Sequence, residues 1–368
     1  MSENRDSIAF TPPFCPNSKC LYHQARDYRC YVKNGFERTQ KPPHINQRYK
    51  CVHCRRGFSR NTFCIDFRKK KPGLGEEILA CSLGGMSNNT LASKLKVAEA
   101  TVRNRLTFLA RQALLFEKET SVNLKITEPV AYDGFETFTY DQYSPCYVNT
   151  AVGANSMFNY STTFSPMNRK GRMTQEQKEK LDELLKVHGR YPTNAITKAS
   201  EYVFKQLKSR SEKALVLFTD EHLSYKKAIR NLRSLKVKHT TISSKEPRTP
   251  SNPLFPINHL HRNYRHFFSS QHRETISFQK HEAALMDKIQ LMKIYKNFMR
   301  PKFTRSSKGD PLAGTNSPAM YIGVAEKVFN FGEVFKGRRF KTHYQLDQVE
   351  DSFFERRYEF SRRKIAYL

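Results

Sequence analysis

Between Glu76 and Gln112 apolar residues recur at the three-to-four-residue interval of helices, in three separate runs. The first carries Ile78 and Leu79, and the second Leu91, Ala92 and Leu95, with Ser87 placed to cap it. The third carries Val102, Leu106 and Leu109 as one stripe. Lys96 and Val97 mark a short turn between the last two runs, and small Ala92 lets those helices approach closely. The spacing predicts a helix-turn-helix over residues 74–115, with Ala98 to Ala110 as recognition helix. Its outward residues, Glu99, Thr101, Arg103, Asn104 and Arg105, suit phosphates and base edges. A plain three-helix bundle carries the same periodicity.

The period then changes. EPVAYDGFETFTYD alternates apolar and polar positions as a strand holding Asp133, and PCYVNTAVGANSMFNYSTTFSPMN supplies two more, an antiparallel meander. Two helical stretches follow, TQEQKEKLDELLKVHG and TKASEYVFKQLKS. KALVLFTDEH is a short apolar strand that ends at Asp220, and a helix (LSYKKAIRNL) and a strand (VKHTTISS) come after it. Three antiparallel strands, a helical crossover and a buried strand ending in an acid form the order of an RNase H-like fold. That order places Asp133 beside Asp220, although aspartates also commonly cap turns. NHLHRNYRH reads as a helix with Asn258, His261 and Arg265 on one face and His259, Arg262 and His266 on another. Lys280 to Met299, with Leu285, Ile289, Met292 and Ile294, reads as a core helix, and PKFTRSSKGDPLAGTNSP as a linker into a basic tail.

Charge narrows the partners. Among 368 residues, 64 Lys and Arg face 34 Asp and Glu, a formal net charge of +30. An excess spread along the chain opposes compaction by self-repulsion until a polyanion neutralises it, which points to DNA or RNA, and double-stranded DNA is the partner expected here. No run of eighteen apolar residues spans a membrane. MSENRDSIAFTPPF lacks the pattern of a signal peptide, so a reducing, cytoplasmic location is expected, where thiols serve metals more often than disulfides.

Six of the eight cysteines fall in the first 64 residues. Cys15-Pro-Asn-Ser-Lys-Cys20 and Cys51-Val-His-Cys54 are thiolate pairs able to turn four sulfurs onto one tetrahedral zinc, as in a zinc ribbon over residues 10–67. Free thiols are the alternative. His23, Cys30, His44, His53 and Cys64 are further donors nearby, with His53 expected to point outward. RKKKPG then forms a basic linker.

CPNSKC, QRYKCVHCRRGFS and GMSNNTLASKLKVAEATVRNRL resemble the N-terminal part of bacterial insertion-sequence transposases of the "insertion sequence one" type. AYDGFE, LFTDEHLSY, RETISF, MDKIQLMKIYKNFM and SPAMYIGVAEKVFNF resemble their catalytic half, so that most of residues 15–335 is covered. The resemblance implies a DDE-type recombinase that cuts and joins element ends with two magnesium ions held by Asp133 and Asp220. By analogy it also implies a homodimer or higher assembly on the bacterial nucleoid.

The expected whole is an α+β or α/β multidomain chain. Zinc ribbon and helix-turn-helix precede an RNase H-like domain (125–300), a mixed five-stranded sheet with flanking helices, and residues 301–368 form the tail. The family places a third acid after the last core strand, yet no acid lies between Glu246 and Glu274. His261, with Asn258 beside it, is the choice for that position, and Glu274 is the fallback. A basic, DNA-facing helix without metal contact is the other reading of this stretch. A catalytically silent, domesticated DNA-binding protein is the alternative for the whole chain.

Overall fold

In the computed structural model of the protein, residues 10–25, 29–38, 44–232, 236–272, 277 and 279–358 are described. They form two units, one from Met1–Leu74 with Phe331–Gln345, the other from Gly75–Asn330 with Leu346–Leu368. The fold is mixed α and β, with a three-stranded and a five-stranded sheet.

The first unit opens with the short helix α1 (Leu21–Gln24), then the antiparallel strands β1 (Tyr31–Arg38), β2 (Ile45–Cys51) and β3 (Gly57–Ser59). β1 pairs β2 from Tyr31↔Cys51 to Arg38↔Ile45, and its register slips between Lys33 and Phe36. Gly35 takes up that slip in the left-handed region (φ 69°). The core is small: Cys15, Cys20, Tyr49, Cys51 and Phe58, three of the five being cysteines. So little apolar area cannot offset the ordering entropy of such a unit, which needs a further clamp.

In the second unit α2 (Leu74–Leu83), α3 (Asn88–Leu95) and α4 (Glu99–Thr120) come first. Ser87 caps α3 by accepting the Thr90 N–H, as the sequence predicts, and Lys96 closes it in the left-handed conformation. Val97 N–H then bonds Ala92 O at 3.0 Å. α4 departs from expectation. It runs 22 residues, and from Ala110 to Glu117 it is buried on nearly every side, as a helix inside a core must be. The helical segment is therefore part of the same unit as the large sheet rather than a separate domain.

That sheet has the order β6-β5-β4-β7-β8. β4 (Val130–Phe138), β5 (Pro145–Gly153) and β6 (Asn159–Pro166) form the antiparallel meander. α5 (Gln175–His188) and α6 (Ala195–Ser209) lead to β7 (Leu215–Thr219), which pairs β4 in parallel. α7 (Leu223–Asn231) leads to β8 (Val237–Thr241), parallel to β7. α8 (Phe255–Phe267) and α9 (Glu282–Phe298) follow, then the single turn α10 (Pro318–Tyr321). Along β4, Tyr132 turns toward Ser200 of α6 and Phe135 toward Tyr264 of α8, so these helices cover opposite faces. Among the described residues no helix is long and apolar enough to cross a membrane.

Residues 301–358 are not a tail. α11 (Phe331–Val334) belongs to the first unit, where Phe340 packs edge-on to Phe14 at 5.2 Å and Arg338 N–H bonds Phe63 O at 2.8 Å. α12 (Gln348–Glu355) belongs to the second, where Glu350 pairs with Lys118 at 2.9 Å.

The core of the second unit holds the ion pair Lys293 Nζ to Glu117 Oε1 at 2.6 Å, and Gln290 donates to the other carboxylate oxygen at 2.9 Å. Removing one partner strands a buried charge, whereas replacing both does not. Lys293→Met should lower the urea-unfolding free energy by about 3–5 kcal/mol, and adding Glu117→Gln should recover part of it. Equal losses in the single and double variants would show that the pair acts only through its packing.

Candidate metal centre and acid pair

In the first unit the Cys15 and Cys54 sulfurs lie 3.6 Å apart, and those of Cys20 and Cys51 3.7 Å. All four fall within 4.8 Å of one another. A disulfide needs about 2.05 Å, whereas four sulfurs at about 2.3 Å from a tetrahedral zinc sit about 3.8 Å apart. The spacing fits a metal. Backbone turns aim the thiols: Cys20 N–H bonds Asn17 O, Arg55 N–H bonds Cys51 O, and Arg55 adopts φ 61° to complete the second knuckle. Burial pushes the Cys15 thiol up. In Cys54 burial is outweighed by hydrogen bonds from the Asn17 side chain and the Arg56 backbone, which bring it down to about 6.

The other donors sort themselves out. His23 is buried with both ring nitrogens engaged, Nδ1 with Cys15 O at 2.7 Å and Nε2 with the Thr342 hydroxyl at 2.5 Å. His53 is exposed as expected, yet its Nδ1 reaches 3.6 Å from the Cys20 sulfur. Such an outer contact orients and tunes a thiolate ligand. Cys30, Cys64 and His44 lie outside the four-sulfur group. The four cysteines are the ones read from the sequence, and they could hold one zinc ion.

In the second unit the parallel register pairs Tyr132 with Thr219. Asp133 and Asp220, each one residue further on, therefore come side by side where β7 stops, Asp133 inside β4 and Asp220 just past β7. Asp133 Oδ1 accepts the Gly134 N–H at 2.7 Å and the Tyr225 hydroxyl at 3.2 Å. Asp220 Oδ1 accepts the His222 N–H at 2.9 Å, just ahead of α7. Gly134 is required here, since a Cβ would lie 1.9 Å from the Tyr147 ring. Burial and then the charge of Asp220 push the Asp133 carboxyl up to about 7. Two repelling carboxylates of hard oxygen donors suit magnesium, which commonly takes one or two carboxylates and keeps waters elsewhere.

His261 does come to this place: its Nδ1 lies 3.9 Å from Asp133 Oδ2. Burial, Arg265 and Arg248 bring the imidazole down to about 3, so the ring is neutral and the contact is not an ion pair. Its Nε2 is buried and has no hydrogen-bond partner among the described residues. His261 shares the buried stripe of α8 with Ile257, Leu260 and Tyr264. Asn258, one turn earlier, is half-buried. Glu274 lies outside the described residues. Among those residues the four cysteines are the one group of three or more metal-binding side chains, so the acid pair with His261 is not a preformed three-ligand cluster.

Sequence reading missed Tyr225, Gly134 and Arg248. The Asp-Gly step inside a strand was the available signal for Gly134. It also misjudged Arg105, which is 5 % exposed. Position 105 falls between Val102 and Leu109 on the apolar stripe of α4, three or four residues from each, and so turns inward. Arg103 and Asn104 are exposed and Thr101 half-buried, as a binding surface requires, and Arg103 pairs with Glu99 at 2.9 Å. No protein-family model matches the chain, and no curated protein matches it.

Proposed function

We propose that the protein is a DNA transposase that binds the ends of its mobile element and cuts and joins strands by metal-dependent phosphodiester transfer. The observation that carries this reading is the convergence of Asp133, inside β4, with Asp220, just past the end of the adjacent parallel strand β7, in a β6-β5-β4-β7-β8 sheet. That strand order supports an RNase H-like core, and the four-sulfur group and the α3–turn–α4 pair support a zinc ribbon and a helix-turn-helix. The net charge of +30 supports DNA as partner. On this reading the protein works as a homodimer or larger assembly on the bacterial nucleoid.

Asp133 and Asp220 would hold magnesium, which supplies activation of a water or 3′-hydroxyl and stabilisation of the leaving oxygen. Tyr225 and the Gly134 N–H fix the rotamer of Asp133, and the His222 N–H fixes that of Asp220. The neutral imidazole of His261 borders the pair, with Nε2 buried and without a hydrogen-bond partner among the described residues. The test is incubation of the protein and magnesium with duplexes carrying the DNA that flanks its coding sequence. Joined products support transposition; nicking without joining reduces the reading to a nuclease.

A second reading, a silent DNA-binding protein descended from a transposase, is favoured by the imidazole and amide standing where the family has an acid. His261→Asp separates the two. In an active enzyme a harder donor beside Asp133 should keep or raise cleavage, while His261→Ala lowers it. Cleavage undetectable in wild type and in both variants, with DNA binding intact, favours the silent protein.

For DNA recognition, Arg103→Ala should weaken binding to the element end and lower the log–log salt slope by about one, the signature of one lost phosphate contact. Arg105→Ala should cost stability instead. An unchanged salt slope in Arg103→Ala would remove α4 from the interface.

A further inference from the structure

The five-stranded sheet has an open edge at β6. Met167 N–H bonds Pro145 O, so by alternation Ser161, Thr163 and Ser165 turn their backbone toward β5, and Thr162 and Phe164 turn theirs away. α12 crosses this edge as a strap. Its N-cap Asp347 accepts the Tyr202 hydroxyl at 2.7 Å and the Gln206 amide at 2.9 Å, both on α6. Glu350 is tied to Lys118 of α4, and Arg356 pairs with Asp287 of α9. None of the residues of α12 is fully buried, and these polar contacts tie it to α4, α6 and α9. Between strap and strand lies a cavity of about 360 Å³, within the range of small-molecule sites.

Three independent features describe what the cavity would accept. Its inner wall is apolar, with Leu114, Phe164, Met286 and Phe353. The Thr163 hydroxyl, on a residue 3 % exposed, and the Tyr358 hydroxyl are buried without hydrogen-bond partners among the described residues, an unfavourable state that an acceptor would relieve. The charge around it is unbalanced. Its acids, Glu117 and Glu350, are already held by Lys293 and Lys118. Lys198, Arg210 and Arg357 line it, and no carboxylate pairs with them among the described residues.

We propose that this cavity binds a small organic anion with a flat, apolar body. The anionic group meets Lys198 and Arg357, exposed near the mouth, and the body lies against Phe164 and Met286. Acceptor atoms take the hydroxyls of Thr163 and Tyr358. Because the ligand would touch β6, α6 and the residues following α12 together, binding would also hold the strap down. The site shares no residue with the acid pair and stands whether or not the protein cleaves DNA.

The test uses the full-length protein and two fluorescent probes of the same shape, anilinonaphthalene sulfonate and its neutral counterpart phenylnaphthylamine. The anionic probe should saturate at one molecule per chain and bind about tenfold more tightly than the neutral one. The pair Lys198→Glu and Arg357→Glu should remove that tenfold advantage and leave the neutral probe unchanged. Ala199→Trp, which fills the cavity from α6, should abolish binding of both. If Ala199→Trp fails to fold, the charge variants still decide, since both side chains are exposed. Non-saturating binding, equal affinity for the two probes, or saturable binding that every folded variant leaves unchanged overturns the proposal.

Discussion

Asp133→Asn should abolish magnesium-dependent strand cleavage, by about a thousandfold or more, and at the same time stabilise the metal-free protein. The first effect follows from losing one of two adjacent carboxylates, and Asp220→Ala should match it with DNA binding intact. The second follows from the raised carboxyl. Its ordinary value of 3.8 becomes about 7 in the fold, so between these limits the folded chain holds a proton that the unfolded chain has released. Stability conferred below pH 4 is therefore lost as pH rises to 7, and the whole cost is present above 7. The shift sets an upper bound of about 4 kcal/mol, reduced because the Asp133 side chain keeps 22 % of its surface exposed. At pH 8 without metal, Asp133→Asn should melt above wild type, the gap closing toward pH 4. Magnesium should raise the wild-type melting temperature and leave the variant's unchanged. A variant less stable than wild type at both pH values would mean that Asp133 is held by favourable contacts rather than strained by its neighbour.

The second large effect concerns zinc. The purified protein should carry one zinc per chain, and stripping it should unfold the first unit while sparing the second. Structural zinc in small fingers contributes about 10–16 kcal/mol at neutral pH, more than a five-residue core can replace. Hydrogen exchange gives the pattern to look for. Amides of β1 to β3 should lose protection, and those of β4 to β8 should keep it. Phe331–Gln345 should open with β1 to β3, since those residues share their unit. Cys54→Ser should reproduce the result without a chelator. Protein free of zinc yet protected throughout β1–β3 would overturn the assignment.

Much of this was legible because it is local. Alternation in VAYDGFETF and the apolar LVLFT mark two strands, the first holding Asp133 and the second followed directly by Asp220. The two cysteine pairs pointed to Cys15, Cys20, Cys51 and Cys54, with His23, Cys30, His44, His53 and Cys64 as further donors nearby. What escaped was set by partners distant in sequence. Phe340 finds Phe14, and Glu350 finds Lys118, pairings no local period announces, so residues 301–358 read as polar and loose. Arg105 was misread because charge outweighed position: its place on the α4 stripe was visible, but its side chain suggested solvent. The continuation of α4 to Thr120 was hidden likewise, since a helix buried on nearly every side, with Gln112 and Glu117 among the buried residues, shows no apolar face to detect.

The first unit draws its chain from both ends of the protein, and this has a consequence during synthesis. A ribosome delivers Cys15 to Cys54 early, but Phe340 and Thr342 emerge only after most of the remaining chain. At about 5–20 residues per second that interval is about 15–60 s. Throughout it Phe14, His23 and Phe63 lack Phe340, the ring that later packs against all three. A nascent chain would meet its metal long before it could close over it. An N-terminal fragment ending near Leu74 would be left permanently at that stage, with a filled cysteine site and an uncovered aromatic surface prone to self-association.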